Sequence, residues 1–332
     1  MVSNNQTISA WALAILAIPL LVLTASELIL GFWGDSGVSV ADALVAEPTR
    51  LELTARYKTM ASFVFFSTVA LAVTAMFVWD VGRHFSVWSQ VKIVAALILV
   101  IIVTLVFSVL EPEEMKSFET YELLGEDLFR AALGAAKTGA CLPDRTLCET
   151  GTAFDAMVAM VDLSNHIVSL AAACTLAGII LALAHCPSAG ASVEEQAECL
   201  RHARRVAKRY LYCAGVLLTA GMLWVQAWMS WPATLIAEAG PRGEFLDMVN
   251  AFSLYRGTTF SLLILSVYLP VFLVMAGRFE SLWQAVPDDP QLAEDETLER
   301  ISYVEALKTV SAIIAPILMG VIGSTWSVSF GF

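Results

Sequence analysis

Charge is what this sequence has least of. Of its 332 residues only 15% are Asp, Glu, Lys or Arg, where an ordinary soluble domain carries about 25%. That scarcity argues against a water-soluble globule. The charge present leans acidic, with 31 Asp plus Glu against 19 Lys plus Arg and a formal net charge of −12. An acidic balance argues against a nucleic-acid partner and against an extended polybasic lipid-binding surface. Motifs are missing too. There is no P-loop, no GxGxxG, no HExxH and no G-x-S-x-G elbow, so nucleotide-driven transport, zincin chemistry and serine-hydrolase chemistry lack their parts. No Lys lies in the interior of a long apolar run, since Lys92 and Lys308 only border the third and the last; a retinal Schiff base therefore has no attachment point. No tract is long enough for a separate soluble catalytic domain, and no internal repeat supports an inverted-repeat carrier. The sequence leads us to expect no catalytic residue and no cofactor.

Apolar residues are plentiful. They make up 58% of the chain and come in long blocks, the signature of segments that cross a bilayer with about 20 residues each. Seven such blocks fall near 8–33, 61–79, 92–110, 156–185, 211–236, 258–276 and 310–326. The expected fold is an all-α integral membrane protein: one polytopic transmembrane domain over 1–332, a bundle of about seven helices. An extramembrane helical loop, 111–155, lies on the outer side, with short cytoplasmic helical extensions on the other. The first block has no Lys or Arg before it and outruns a 7–15-residue signal core, so it reads as a retained helix that Pro19 kinks. Trp11, Trp33, Trp79, Trp88, Trp228, Trp231 and Trp326 fall near block ends, the depth that Trp prefers.

Arg201, Arg204, Arg205, Lys208 and Arg209 directly precede the fifth block. By the positive-inside rule this cluster places the N-terminus in the cytoplasm of a plasma (inner) membrane. The loops 34–60, 111–155 and 237–257 are then outside. Cys141 and Cys148 close the short segment CLPDRTLC in an outer loop, where a disulfide persists. Ser192 with Glu195 forms a capping-box signature, and nothing breaks a helix from Val193 until Pro232. Residues 111–138 carry apolar residues at near-helical spacing and predict the one sizeable extramembrane helix.

The polar residues inside the blocks are the functional pointers, because a charge near a membrane-helix centre costs about 2.5–3.5 kcal/mol and normally faces protein or water. On the fourth block Asp162, Asn165 and His166 share one helix side. Glu27 in the first block and Gln226 in the fifth lie at similar distances from block ends. Together the five residues form a candidate ion or proton pathway, with His166 suited to accepting and donating protons; a buried cluster that fixes helix packing is the bland alternative. In the last block Ala312, Pro316 and Gly320 recur every four residues with Gly323 adjacent, a small face for close helix approach, and Pro270 and Pro316 are candidate kinks or gates. His185, Cys186, Cys199 and His202 are weak zinc candidates whose spacing matches no standard finger.

The function these residues favour is an oligomeric channel conducting ions, with Glu27 and Asp162 attracting cations. A ligand or protein partner at the cytoplasmic helices 193–210 and 291–309 would gate it. A proton- or cation-coupled secondary transporter using Glu27, Asp162 and His166 is the alternative, and a membrane-embedded metal-dependent enzyme the third reading. The expected partners are the lipid bilayer, other copies of the chain and a small ion or solute.

Overall fold

A computed structural model of the protein describes residues 18–19, 21–26, 28–30, 50–84, 95, 98, 102, 125–133, 153–184, 192–285 and 303–328. Among them are six α-helices: α1 (Arg50–His84), α2 (Glu126–Leu133), α3 (Ala153–Ala184), α4 (Val193–Ser230), α5 (Ala239–Ala285) and α6 (Tyr303–Val328). A 3-10 turn, Pro232–Leu235, joins α4 to α5, and the described residues contain no strand. Four segments are long and apolar enough to cross a membrane: Arg50–Arg83, Ala156–Ile179, Glu194–Leu235 and Ala239–Arg278. Shorter apolar helical stretches, Leu21–Leu30 and Leu307–Ile322, fall on the expected first and seventh spans. The expected third span lies outside the described residues, apart from three isolated helical positions.

α4 is the central element. Its most apolar window is 50% buried, against 22–33% for the other three long helices, and it packs on α1, α3, α5 and α6. Its start follows local chemistry. The Ser192 side chain accepts from the Glu195 N–H at 3.3 Å, and the Glu195 carboxylate accepts from the Ser192 N–H at 3.2 Å. Both halves of the predicted capping box are thus made, and the helix runs unbroken until the residues preceding Pro232.

The expected outer loop over 237–257 is a correction. The chain leaves the helix only between Trp231 and Glu238, and α5 then extends for 47 residues from Ala239. Pro241 sits in the first turn, where a missing N–H is tolerated. Phe245, Val249 and Phe252 follow at helical spacing and are all buried. Hydropathy overlooks this stretch because its opposite, charged side lowers the average.

Helix directions follow from the contacts at each end. At one end Trp231 of α4 donates to Glu52 of α1 at 3.0 Å, and at the other Tyr210 of α4 donates to Asp80 of α1 at 2.9 Å. α1 is therefore antiparallel to α4. Ser164 and Gly178 of α3 lie beside Trp224 and Tyr210, which makes α3 antiparallel to α4 as well. α6 runs parallel to α4 and antiparallel to α5: Ala312 lies against Gly215, while Pro316 and Gly320 lie against Gly257 and Ser253.

At the end where α4 stops, an aromatic chain forms the larger core. Phe63 and Trp224 lie 5.1 Å apart between ring centres, and Trp224, Trp228 and Trp231 follow at 6.1 Å steps. Phe129 of α2 closes the group at 5.2 Å from Trp231. The helix expected over 111–138 is described only as the eight residues of α2, seated on the 3-10 turn. Gly125 positions it: its φ of 84° favours glycine, and a Cβ there would stand 2.5 Å from Pro232. Beneath the aromatic group, the Glu52 carboxylate is almost fully buried and accepts from Arg56 at 2.8 Å as well as from Trp231.

Candidate functional site

One side of α5 carries a row of small and polar residues. At 100° per residue, Asn250, Ser253, Gly257 and Ser261 lie within an arc of about 80°. That arc faces α6 and α4. A Cβ added to Gly257 would stand 2.5 Å from the Pro316 carbonyl oxygen, and one added to Gly320 would stand 2.7 Å from that of Ser253. The helices thus touch backbone to backbone, as small residues permit. On α4, Gly215 meets the Ala312 carbonyl oxygen in the same manner. Gln226 is eleven residues further along and within about 20° of Gly215 around the helix, so it belongs to the same three-helix seam.

Gln226 is 8% exposed, Ser253 0% and Ser261 4%. Yet Gln226 Nε2, Asn250 Oδ1, Ser253 Oγ and Ser261 Oγ have no hydrogen-bond partner among the described residues. Each such group, buried without a partner, costs about 1–3 kcal/mol. Native proteins keep few of them, and a cluster calls for a reason beyond packing.

Arg256 sits on the shoulder of this seam. It is 8% exposed, and its guanidinium lies 5.4 Å from the centre of the Phe252 ring. Its depth can be read from its neighbours. Phe245 lies next to Gly125 and Pro232 at the aromatic end, while Ile264 and Tyr268 pack with Leu211 towards the other end. Arg256 falls between these levels, in the middle of the bundle. Intramembrane charges at such depth are rare and usually functional.

On the far side of Arg256 is a satisfied hydroxyl cluster. Tyr255 donates to the Ser26 carbonyl oxygen at 2.7 Å, and the Ser26 and Thr259 hydroxyls are 2.9 Å apart. These bonds tie the first segment to α5. Towards the basic end the seam is closed by apolar groups, with Leu211, Ile264 and Tyr268 packed against Ala312 and Ile313.

The residues singled out in the sequence are distributed as follows. Glu27, Cys141, Cys148, His185 and Cys186 lie outside the described residues. Asp162 is exposed on α3, while Asn165 and His166 are partly buried. His166 Nδ1 donates to the Asp162 carbonyl oxygen at 2.7 Å, one turn back on the same helix. Among the α3 side chains that meet α4 is Ser164, which accepts from Trp224 Nε1 at 3.1 Å. Asp162 and His166 are each about 200° from Ser164 around α3, and Gln226 is about 200° from Trp224 around α4. The structure therefore does not bring Gln226 together with Asp162 and His166; they point to opposite sides of the α3–α4 contact. Cys199 and His202 lie on α4, and no three His, Cys, Asp or Glu side chains converge as a metal site among the described residues. Pro270 and Pro316 sit inside continuous helices, and Gly323 lies within α6. Ala312, Pro316 and Gly320 face α4 and α5 of the same chain.

Sequence reasoning did not single out Arg256, Asn250, Ser253 or Ser261. For the last three the signal was the spacing 250, 253, 257, 261, a helix face whose first part a loop assignment over 237–257 hides. Comparison of the chain with protein-family models, with curated proteins and with solved structures finds no match.

Proposed function

We propose that this chain is a membrane transport protein that passes small ions along the α4–α5–α6 seam. The observation that carries the reading is the set of buried groups on Gln226, Asn250, Ser253 and Ser261 that find no partner among the described residues, beside the buried Arg256. In a bilayer no lipid satisfies such groups, so a passing ion with its water is the partner that makes their retention intelligible. Arg256 supplies a fixed positive charge at mid-depth, which favours anions and repels cations unless a carboxylate offsets it.

Two forms of transport are open to this geometry. In an oligomeric channel, copies of the chain assemble and the seam opens by movement of α6. In a coupled carrier, the seam is reached from one side at a time, and Glu27, Asp162 and His166 take up protons or cations. The apolar closure by Leu211, Ile264 and Tyr268 favours a gated or alternating path over a permanently open one. In either form we take the bundle to have seven spans in a plasma (inner) membrane, with the basic turn of α4 and the N-terminus in the cytoplasm.

Reconstitution into liposomes tests the reading. Wild-type protein is expected to carry ion flux that falls about tenfold or more in Arg256→Gln and Gln226→Leu, a loss of about 1.4 kcal/mol per tenfold. Unitary currents in planar bilayers would identify the channel form, and slow stoichiometric uptake the carrier. Flux unchanged in both variants would place the path elsewhere.

A further inference from the structure

At the basic end of the bundle, away from the seam, α1, α3 and α4 surround a half-open pocket. Its walls are mostly apolar, with Phe77 from α1, Leu181 from α3 and Val206 from α4. Asp80, His202 and Arg209 form its polar rim. Asp80 is already engaged: its Oδ2 accepts from the Arg209 guanidinium and from the Tyr210 hydroxyl at 2.9 Å. Arg209 offsets that carboxylate and is still 44% exposed, so N–H groups remain for another anion. Gly178 lets the Tyr210 ring form the floor. A Cβ there would stand 2.4 Å from the Tyr210 ring, so only glycine lets that ring lie against α3.

The depth of the pocket matters as much as its lining. The apolar part of α4 begins at Tyr210, directly after the basic turn, and Trp79 of α1 is 70% exposed one residue before Asp80. Both mark the level where hydrocarbon gives way to headgroups. Arg201, Arg205 and Arg209 recur every four residues as an exposed stripe leading to the rim. The chain's net charge of −12 hides this local excess of cations.

We propose that the pocket binds an anionic phospholipid of the surrounding leaflet. Its phosphate contacts Arg209 and His202, and the start of an acyl chain lies between Phe77, Leu181 and Val206. A free phosphate would use the rim but not the apolar walls. A neutral phospholipid would use the walls but bring no net negative charge to the basic stripe.

The test uses delipidated full-length protein in detergent, titrated with phosphatidylglycerol or with phosphatidylcholine of the same chains, and bound lipid is counted by native mass spectrometry. Phosphatidylglycerol is expected to bind about tenfold tighter or better. That preference is expected to vanish in Arg209→Gln, and binding to be lost in Val206→Trp, which fills the slot and leaves the Asp80–Arg209 pair intact. If Arg209→Gln does not fold, Val206→Trp decides alone. Equal binding of the two lipids would overturn the proposal, as would binding unaffected by Val206→Trp. Displacement of the lipid by millimolar inorganic phosphate would overturn it in favour of a free-anion site.

Discussion

Ser253 Oγ, Ser261 Oγ and Gln226 Nε2 are buried polar atoms that find no partner among the described residues. If they serve a passing ion, removing them relieves the bundle while harming transport. Ser261→Ala and Gln226→Leu are therefore expected to leave the melting temperature unchanged or to raise stability by about 1 kcal/mol, as flux falls. A clear drop in melting temperature would mean that these groups stabilise the fold. Glu52 is the opposite case, because its carboxylate is engaged by Arg56 and Trp231. Glu52→Ala is expected to destabilise by about 1.5–3 kcal/mol in thermal or denaturant unfolding, the range for hydrogen bonds to a charged group. Residue-scale reading of the sequence reached Gln226 because an amide in an apolar run stands out. It passed over the serines, which are ordinary in membrane helices, and Arg256, which hydropathy trims from the end of a span. Depth was legible, but azimuth was not: Gln226 and Asp162 lie at matching distances from span ends and point to opposite sides.

At the scale of elements, α4 was readable from its first residue to its last. The Ser192–Glu195 box starts it, and Pro232 follows its end. The first half of α5 was not readable, because an amphipathic stretch with one charged side looks like a loop to a hydropathy average. Close contact explains why α6 must be narrow where it meets α5. Gly257→Ala would push a methyl group to 2.5 Å from the Pro316 carbonyl oxygen, and backbone cannot swing aside as a long side chain can. It is expected to lower stability by about 1–3 kcal/mol, whereas Gly277→Ala, in open space on the same helix, should be neutral or slightly stabilising. Equal melting temperatures for the two variants would contradict the close packing of α5 on α6. Phe129→Ala on α2 should cost about 3–5 kcal/mol, since that ring is 1% exposed between Trp228 and Trp231.

At the scale of the molecule, the scarcity of charge pointed to a membrane bundle, and four helices long and apolar enough to cross a bilayer agree with it. The proposed orientation puts the basic turn of α4 inside and the 134–152 segment outside. Alkylation without reductant is then expected to label four of the six cysteines under denaturing conditions, with Cys141 and Cys148 reacting only after reduction. Labelling of all six without reductant would remove the disulfide and the support it lends to that orientation. The most direct test of the seam is accessibility to a charged thiol reagent, in protein whose native cysteines are replaced by serine and which is reconstituted with active flux. Cysteine at Ser253 or Ser261 should be modified, with flux blocked, while cysteine at Leu262, 50% exposed on the outer surface of α5, should be inert to the reagent. If position 262 reacts, or if 253 and 261 stay unmodified while ions still pass, the ions do not travel between α4, α5 and α6.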